Sequence, residues 1–146
     1  MNEIIVNYLE KQTCASVCSV NEEGKPWCFS CFYVFNAMEG LLYYKSSLDT
    51  RHSEVLKNNP FVSGTILPDK LNTLMVKGVQ FEGVVLETGH PLSEHAATHY
   101  YKKNPMARAI PGQIWTIQLL HIKMTDSTLG FGKKITWSLT ESVEVD

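Results

Sequence analysis

The sequence predicts a mainly β protein with short helices, its six or seven strands antiparallel and closed into a barrel. Three observations carry this. Runs rich in β-branched and aromatic residues recur at 14–20, 27–35, 41–45, 61–67, 73–87, 114–122 and 135–139. Turn chemistry separates them, as at Asn21-Glu22-Glu23-Gly24-Lys25-Pro26, at 36–40 and at Pro68-Asp69. Helix-compatible segments are few and short, and closure manages the edges of many short strands better than an open sheet. A β-sandwich satisfies the same pattern.

Taken in order, residues 2–12 place Ile4, Ile5, Tyr8 and Leu9 at helical spacing, with Glu3 and Asn7 on the other side, so a short amphipathic helix opens the chain. The segments 14–20 and 27–35 form a hairpin, and 41–45 extends it to a meander. Residues 46–50 are a cluster of good N-cap residues before a helical 51–58 that Asn59-Pro60 ends. Strands follow at 61–67 and 73–87, the second with Gly78 and Gly83 as bulge or bend positions. Residues 91–103 read as one helix stopping at Asn104-Pro105, ahead of strands at 114–122 and 135–139.

At 146 residues and 44% hydrophobic content the chain fills one core, and no linker or repeat divides it, so residues 1–146 are read as a single domain. A net charge of -2 with 19% charged residues provides no basic field for nucleic acid. No apolar run approaches the ~20 residues that span a bilayer. Met1-Asn2-Glu3 lacks the basic start of a signal peptide, so the expected location is cytoplasmic. Four cysteines, Cys14, Cys18, Cys28 and Cys31, are then expected as reduced thiols. On strands, Cys14 and Cys18 stand roughly 13 Å apart and Cys28 and Cys31 point to opposite faces, which is not zinc-knuckle geometry.

Chemistry concentrates in Lys45-Ser46-Ser47-Leu48-Asp49-Thr50-Arg51-His52. A cation ends the strand, three hydroxyls fill the turn, and a second cation and an imidazole open the helix. A helix N-terminus adds unpaired N–H groups and a positive dipole, so a phosphate there gains several donors together. The plain alternative is a capped surface helix with solvated charges. Nearby, Trp27, Phe29, Phe32, Tyr33, Phe35, Tyr43 and Tyr44 make both faces of the meander aromatic, either as core and interface or as a wall for a planar ring.

The stretches Glu23-Gly24-Lys25-Pro26-Trp27, Phe32-Tyr33-Val34-Phe35, Leu42-Tyr43-Tyr44, Thr50-Arg51-His52, Asn58-Asn59-Pro60-Phe61-Val62 and Gly78-Val79-Gln80-Phe81-Glu82-Gly83 occur in this order. Their succession resembles the flavoproteins related to pyridoxamine 5′-phosphate oxidase, and 126–137 looks like a small bacterial branch of them. The resemblance implies an FMN-binding split β-barrel that works as a homodimer, with two symmetric sites between subunits. It implies that Tyr44, Lys45, Ser46, Thr50, Arg51 and His52 hold the phosphate and ribityl chain, and that Ser30, Cys31 and Phe32 line the ring edge. From the other subunit, Lys77 and Gln80 reach the flavin, and Trp115 matches an aromatic position near it. The oxidases carry basic residues where this chain has Cys28 and Phe29 and an acidic 138–146, which argues against oxidation of a phosphorylated vitamin.

Other motifs are weaker. His95 and His99 lack the His-Glu-x-x-His order and read as helix-packing or surface residues, and 130–134 lacks the spacing of a dinucleotide or phosphate loop and reads as a tight turn. No nucleophile triad or acid–base carboxylate pair stands out. Three readings follow: a flavin-dependent oxidoreductase or flavin reductase acting on a small molecule, a module that holds flavin or haem without turnover, and a barrel without a cofactor. A deazaflavin in place of FMN fits the same residues.

Overall fold

Seven antiparallel strands surround the core in the computed structural model, which describes residues 1–130 and 133–140. After helix α1 (Glu3–Lys11) come β1 (Cys14–Val20), β2 (Pro26–Asn36) and β3 (Leu41–Ser46). Helix α2 (Arg51–Asn58), β4 (Phe61–Ile66), β5 (Lys77–Leu86), α3 (Ala96–Lys103), β6 (Gln113–Asp126) and β7 (Lys134–Ser138) complete the order. The pairings β1–β2, β2–β3, β3–β6, β6–β5, β5–β4 and β4–β1 close a six-stranded barrel, and β7 is added outside it on β6.

Inside, Val17, Leu42, Tyr44, Ile66, Phe81, Ile117 and Ile122 form the main core. Helix α1 packs Ile5, Tyr8 and Leu9 against it. Two phenols tie this contact down, because Tyr8 Oη donates to Ile66 O at 2.8 Å and Tyr33 Oη to Leu9 O at 2.6 Å. Ile4, counted with the apolar stripe from sequence, is 38% exposed. A second, smaller cluster lies outside the barrel, where Ala96 and Tyr100 of α3 cover Val34, Leu41 and Tyr43. Strand β3 is therefore buried on both faces, as its unbroken apolar run requires.

Four elements differ from the sequence expectation. Residues 73–76 are a turn and not strand, and Leu74 is 90% exposed there. The segment 91–103 breaks into a 3-10 turn (Pro91–Ser93) and α3, because the Glu94 N–H bonds back to Pro91 O and His95 leaves helical geometry. Strand β7 ends at Ser138, so Leu139 lies beyond it. Strand β6 runs to Asp126 instead of 122 because a bulge interrupts its alternation: the register passes from Glu82↔His121 to Gly83↔Leu119, leaving Leu120 as the extra residue. Ile117 and Leu119 face the core before it, and Ile122 and Met124 after it. Gly83 allows the approach, since a Cβ there would meet Ile117 Cγ2 at 2.6 Å and Gln118 O at 2.9 Å. Gly78, the other expected bulge, sits in regular register. The turn expected at 130–134 includes positions 131 and 132, which fall outside the described residues, as does 141–146 of the acidic tail.

Close approach inside the barrel makes one substitution diagnostic. A Cβ on Gly64 would stand 2.3 Å from the Phe81 ring and 2.6 Å from Ser16 O. Gly64→Ala is expected to lower stability by about 1–3 kcal/mol in urea denaturation. Gly89→Ala, where a Cβ meets nothing within 4 Å, serves as control and should stay within about 0.5 kcal/mol.

Candidate functional site

The turn between β3 and α2 is built by its own hydroxyls. Thr50 Oγ accepts from Ser53 N–H at 3.1 Å and caps α2, and Ser53 Oγ donates to Ser47 O at 2.7 Å. Glu54 N–H donates to Thr50 O. Among the described residues this leaves the N–H groups of Arg51 and His52 without a partner at the positive end of the helix.

His52 Nε2 lies 2.8 Å from Ser46 Oγ, and its ring stacks on Phe29 with centroids 3.7 Å apart. Burial lowers its pKa below the ordinary 6.5, which keeps the imidazole neutral near pH 7. The Arg51 guanidinium rests over the Trp27 ring at 3.9 Å. Arg51 takes no part in an ion pair among the described residues; the pairs there are Lys25 with Glu23 and Lys77 with Asp126. It is a cation available to an anion.

Behind the turn, Trp115 Nε1 donates to Ser46 O at 3.0 Å, and its ring lies parallel to Tyr44 at 6.1 Å. Tyr44 in turn sits 5.5 Å from Phe29, so Trp115, Tyr44, Phe29 and His52 form one run of rings leading to the turn. Tyr44 is 1% exposed and its Oη has no hydrogen-bond partner among the described residues. Its ring belongs to the barrel core, and what it presents to the turn is backbone.

The remaining sequence candidates are spread over other surfaces. Lys45 is turned to the outer layer, donating to Ala107 O at 2.7 Å with its Nζ 4.9 Å from the Tyr101 ring centroid. Lys45, Ser46 and the 62% exposed Phe32 line a cavity of about 510 Å³ with Tyr100, Asn104 and Ile110. Ser30 is exposed beside Phe32, whereas Cys31 packs against the core, where burial pushes its thiol up to about 12. Gln80 lies on the outer face of β5 in a depression of about 460 Å³ with Ser63, His121 and Lys123. Lys77 pairs at 3.6 Å with Asp126, which is 3% exposed. Burial raises the Asp126 pKa, but hydrogen bonds from Thr128 and the Lys77 charge outweigh it and hold the carboxyl below its ordinary value.

Ser46, Thr50, Arg51, His52 and Trp115 therefore meet around one turn, Phe32 and Lys45 join them through the adjoining cavity, and Lys77 and Gln80 lie on other strands. Sequence reading missed Ser53, whose hydroxyl ties the cap back to Ser47; a serine there is not the Glu or Gln of a capping box, so no local signal marked it. It also missed the cavity wall at 104–111, whose trace in sequence is an apolar stretch between Pro105 and Pro111.

The closed six-strand barrel with an appended strand places the chain in the split-barrel class. Solved structures share that fold: a haem-binding protein from Mycobacterium smegmatis superposes with a TM-score of 0.74 at 15% identity, covering 90% of this chain and 55% of the other. An FAD-binding protein from Mesorhizobium loti does so at 0.63 and 18% identity, covering 86% and 95%. The chain belongs to the UPF0306 family. It is 40% identical over 135 residues to the UPF0306 protein of Photorhabdus laumondii, covering 92% of this chain and 94% of the relative. The Yersinia enterocolitica member is 36% identical over 139 residues, at 95% and 94% coverage. No family model matches the chain.

The half-buried imidazole sets a pH dependence. With the folded pKa of His52 below 6.5, unfolding takes up a proton between the two values. The stability associated with neutral His52 is present above pH 6.5 and declines as pH falls through that window. Urea denaturation on either side of pH 6.5 should show this slope, and His52→Asn should flatten it; an unchanged slope in the variant places the titration elsewhere.

Proposed function

We propose that this chain is an FMN-binding flavoprotein, a flavin-dependent oxidoreductase or flavin reductase for a small molecule, working as a homodimer in a cytoplasm. The observation that carries the reading is the β3–α2 turn. It gathers an Arg51 without an ionic partner and two open N–H groups, both among the described residues, with the Ser46–His52 pair beside an aromatic wall. That donor set suits a phosphate dianion. Arg51 would swing from Trp27 onto phosphate oxygens, while Ser46 and the first-turn N–H groups fix its position. Thr50, held in the cap, keeps the turn in shape. Phe32 and the cavity beside Ser46, at about 510 Å³, would take the ring system.

When bound, a flavin supplies hydride or electron transfer, and the protein contributes the slot and its electrostatics. With the ring in the Phe32–Ser46 cavity, the cavity wall would limit water there. Gln80 lies apart from the turn within one chain, and a symmetric dimer would bring the partner's β5 face to it. Exposed Phe32 and Phe61 offer apolar contacts for that pairing. The four free thiols accord with a reducing compartment. The FAD-binding neighbour supports a flavin, and the haem-binding neighbour supports the alternative of a module that holds a cofactor without turnover.

A visible spectrum of the purified protein separates the readings: flavin absorbs in the blue and is bleached anaerobically by NADH or NADPH in a reductase, haem shows a Soret band, and a colourless protein that takes up neither overturns both. Arg51→Ala should weaken FMN binding about 10- to 100-fold in a fluorescence titration, the worth of one charged hydrogen-bonding group, with the circular dichroism spectrum unchanged. Unaltered affinity would remove Arg51 from the site. Light scattering should return twice the chain mass, and Phe61→Glu should dissociate the dimer and lower FMN affinity with it. A monomer that binds FMN as tightly as the parent contradicts the shared cleft.

A further inference from the structure

Two of the four thiols face each other across the β1–β2 ladder, where Cys18 and Cys28 are direct partners. The hydrogen-bond pattern settles which kind of pair they are. Tyr33 N–H donates to Thr13 O and Asn21 N–H to Lys25 O, so in this register the hydrogen-bonded pairs fall on the odd-numbered residues of β1. Cys18 and Cys28 are a non-hydrogen-bonded pair, the kind whose side chains stand closer, with Cα atoms about 4.5 Å apart. A disulfide accepts Cα separations of roughly 4.4–6.8 Å, so the bond needs no rearrangement of strands. Both side chains line the outer depression that holds Gln80, and Cys28 is exposed. The other two thiols lack this placement, since Cys14 lies opposite Phe32 and Cys31 opposite Ala15.

We propose that Cys18 and Cys28 form a reversible dithiol–disulfide couple that exchanges with low-molecular-weight disulfides. This goes beyond the flavin reading, whose dimer would set the partner's turn against the same depression, so the exchange is assigned to the chain with that face open. Cys28, the exposed sulfur, loses its proton to solvent and attacks one sulfur of the small disulfide, forming a mixed disulfide and releasing one thiolate. Cys18 then attacks the Cys28 sulfur, forming the intrachain bond and releasing the second thiol. Both protein thiols are oxidised, the small disulfide is reduced to two thiols, and the two protein protons go to the released thiolates through solvent. Burial and its hydrogen bond with Cys28 push the Cys18 thiol up, which suits the resolving role more than the attacking one. A surface bond of this kind is also open to reduction, so the couple runs both ways.

The test uses the full chain carrying Cys14→Ser and Cys31→Ala, incubated with excess glutathione disulfide. Both remaining thiols should be lost together, with an intact mass lower by two hydrogens and no glutathione attached. Cleavage after Glu22 or Glu23, between the two cysteines, should yield peptides that stay joined until dithiothreitol is added. Adding Cys18→Ser should convert the product to a single glutathione adduct on Cys28. Free thiols after equilibration, one glutathione on each cysteine, or chains linked to each other would overturn the proposal. Peptide mapping of the treated parent chain gives the same readout without relying on the folding of the variants.

Discussion

The ladder between β3 and β6 is the constraint on which the rest of the molecule depends. Six consecutive residue pairs, from Leu41↔Gln118 to Ser46↔Gln113, turn a run of hairpins into a closed ring. Closure removes the free edges that β3 and β6 would present to solvent at this point. It also places Trp115 opposite Tyr44, so that the indole reaches Ser46 O and fixes the strand end from which the turn departs. The candidate site is a by-product of the ring: the turn begins where the last rung ends.

Burial on both faces of β3 then sorts the site into two compartments. Leu42 and Tyr44 face the barrel interior, while Leu41, Tyr43 and Lys45 face α3 and the segment after it. Ser46 stands at the junction, bonded to His52 on one side and bordering the cavity beneath Asn104 and Ile110 on the other. A phosphate held by the turn and a ring in the cavity would thus meet past one serine. Lys45 does not contribute its charge to the turn because its ammonium is already bound to a carbonyl of the cavity wall.

Local signals were legible in the sequence where neighbouring residues decided the outcome. Thr50 at the head of α2 and Asn59-Pro60 at its foot bounded that helix, and turn chemistry bounded β1 on its outer side. Signals failed where distant residues decide. The alternation of β6 breaks at 120 because Gly83 and Leu119 meet across the sheet, so the strand looked finished while its second half was still pairing with β5 and β7. Exposed apolar residues at 74–76 looked like strand because composition alone does not say that β5 begins at Lys77. The Lys77–Asp126 pair joins residues far apart in sequence, and no local pattern foretells it. The octet at 45–52 was readable as a phosphate-binding pattern, but which hydroxyls the cap consumes and which remain was not, since Ser53 and Ser47 settle that between themselves.

The posture of Arg51 has an optical consequence. A guanidinium lying 3.9 Å above an indole perturbs the excited state of that ring, so the emission of Trp27 registers whether the cation is in place. Trp115 is held instead by Ser46 and Tyr44, and Trp137 is buried in the core. The chain thereby carries its own dye at the mouth of the turn, and the arrival of any anion that draws the arginine away can be followed by eye of a fluorimeter, without a label and without knowing beforehand what the anion is.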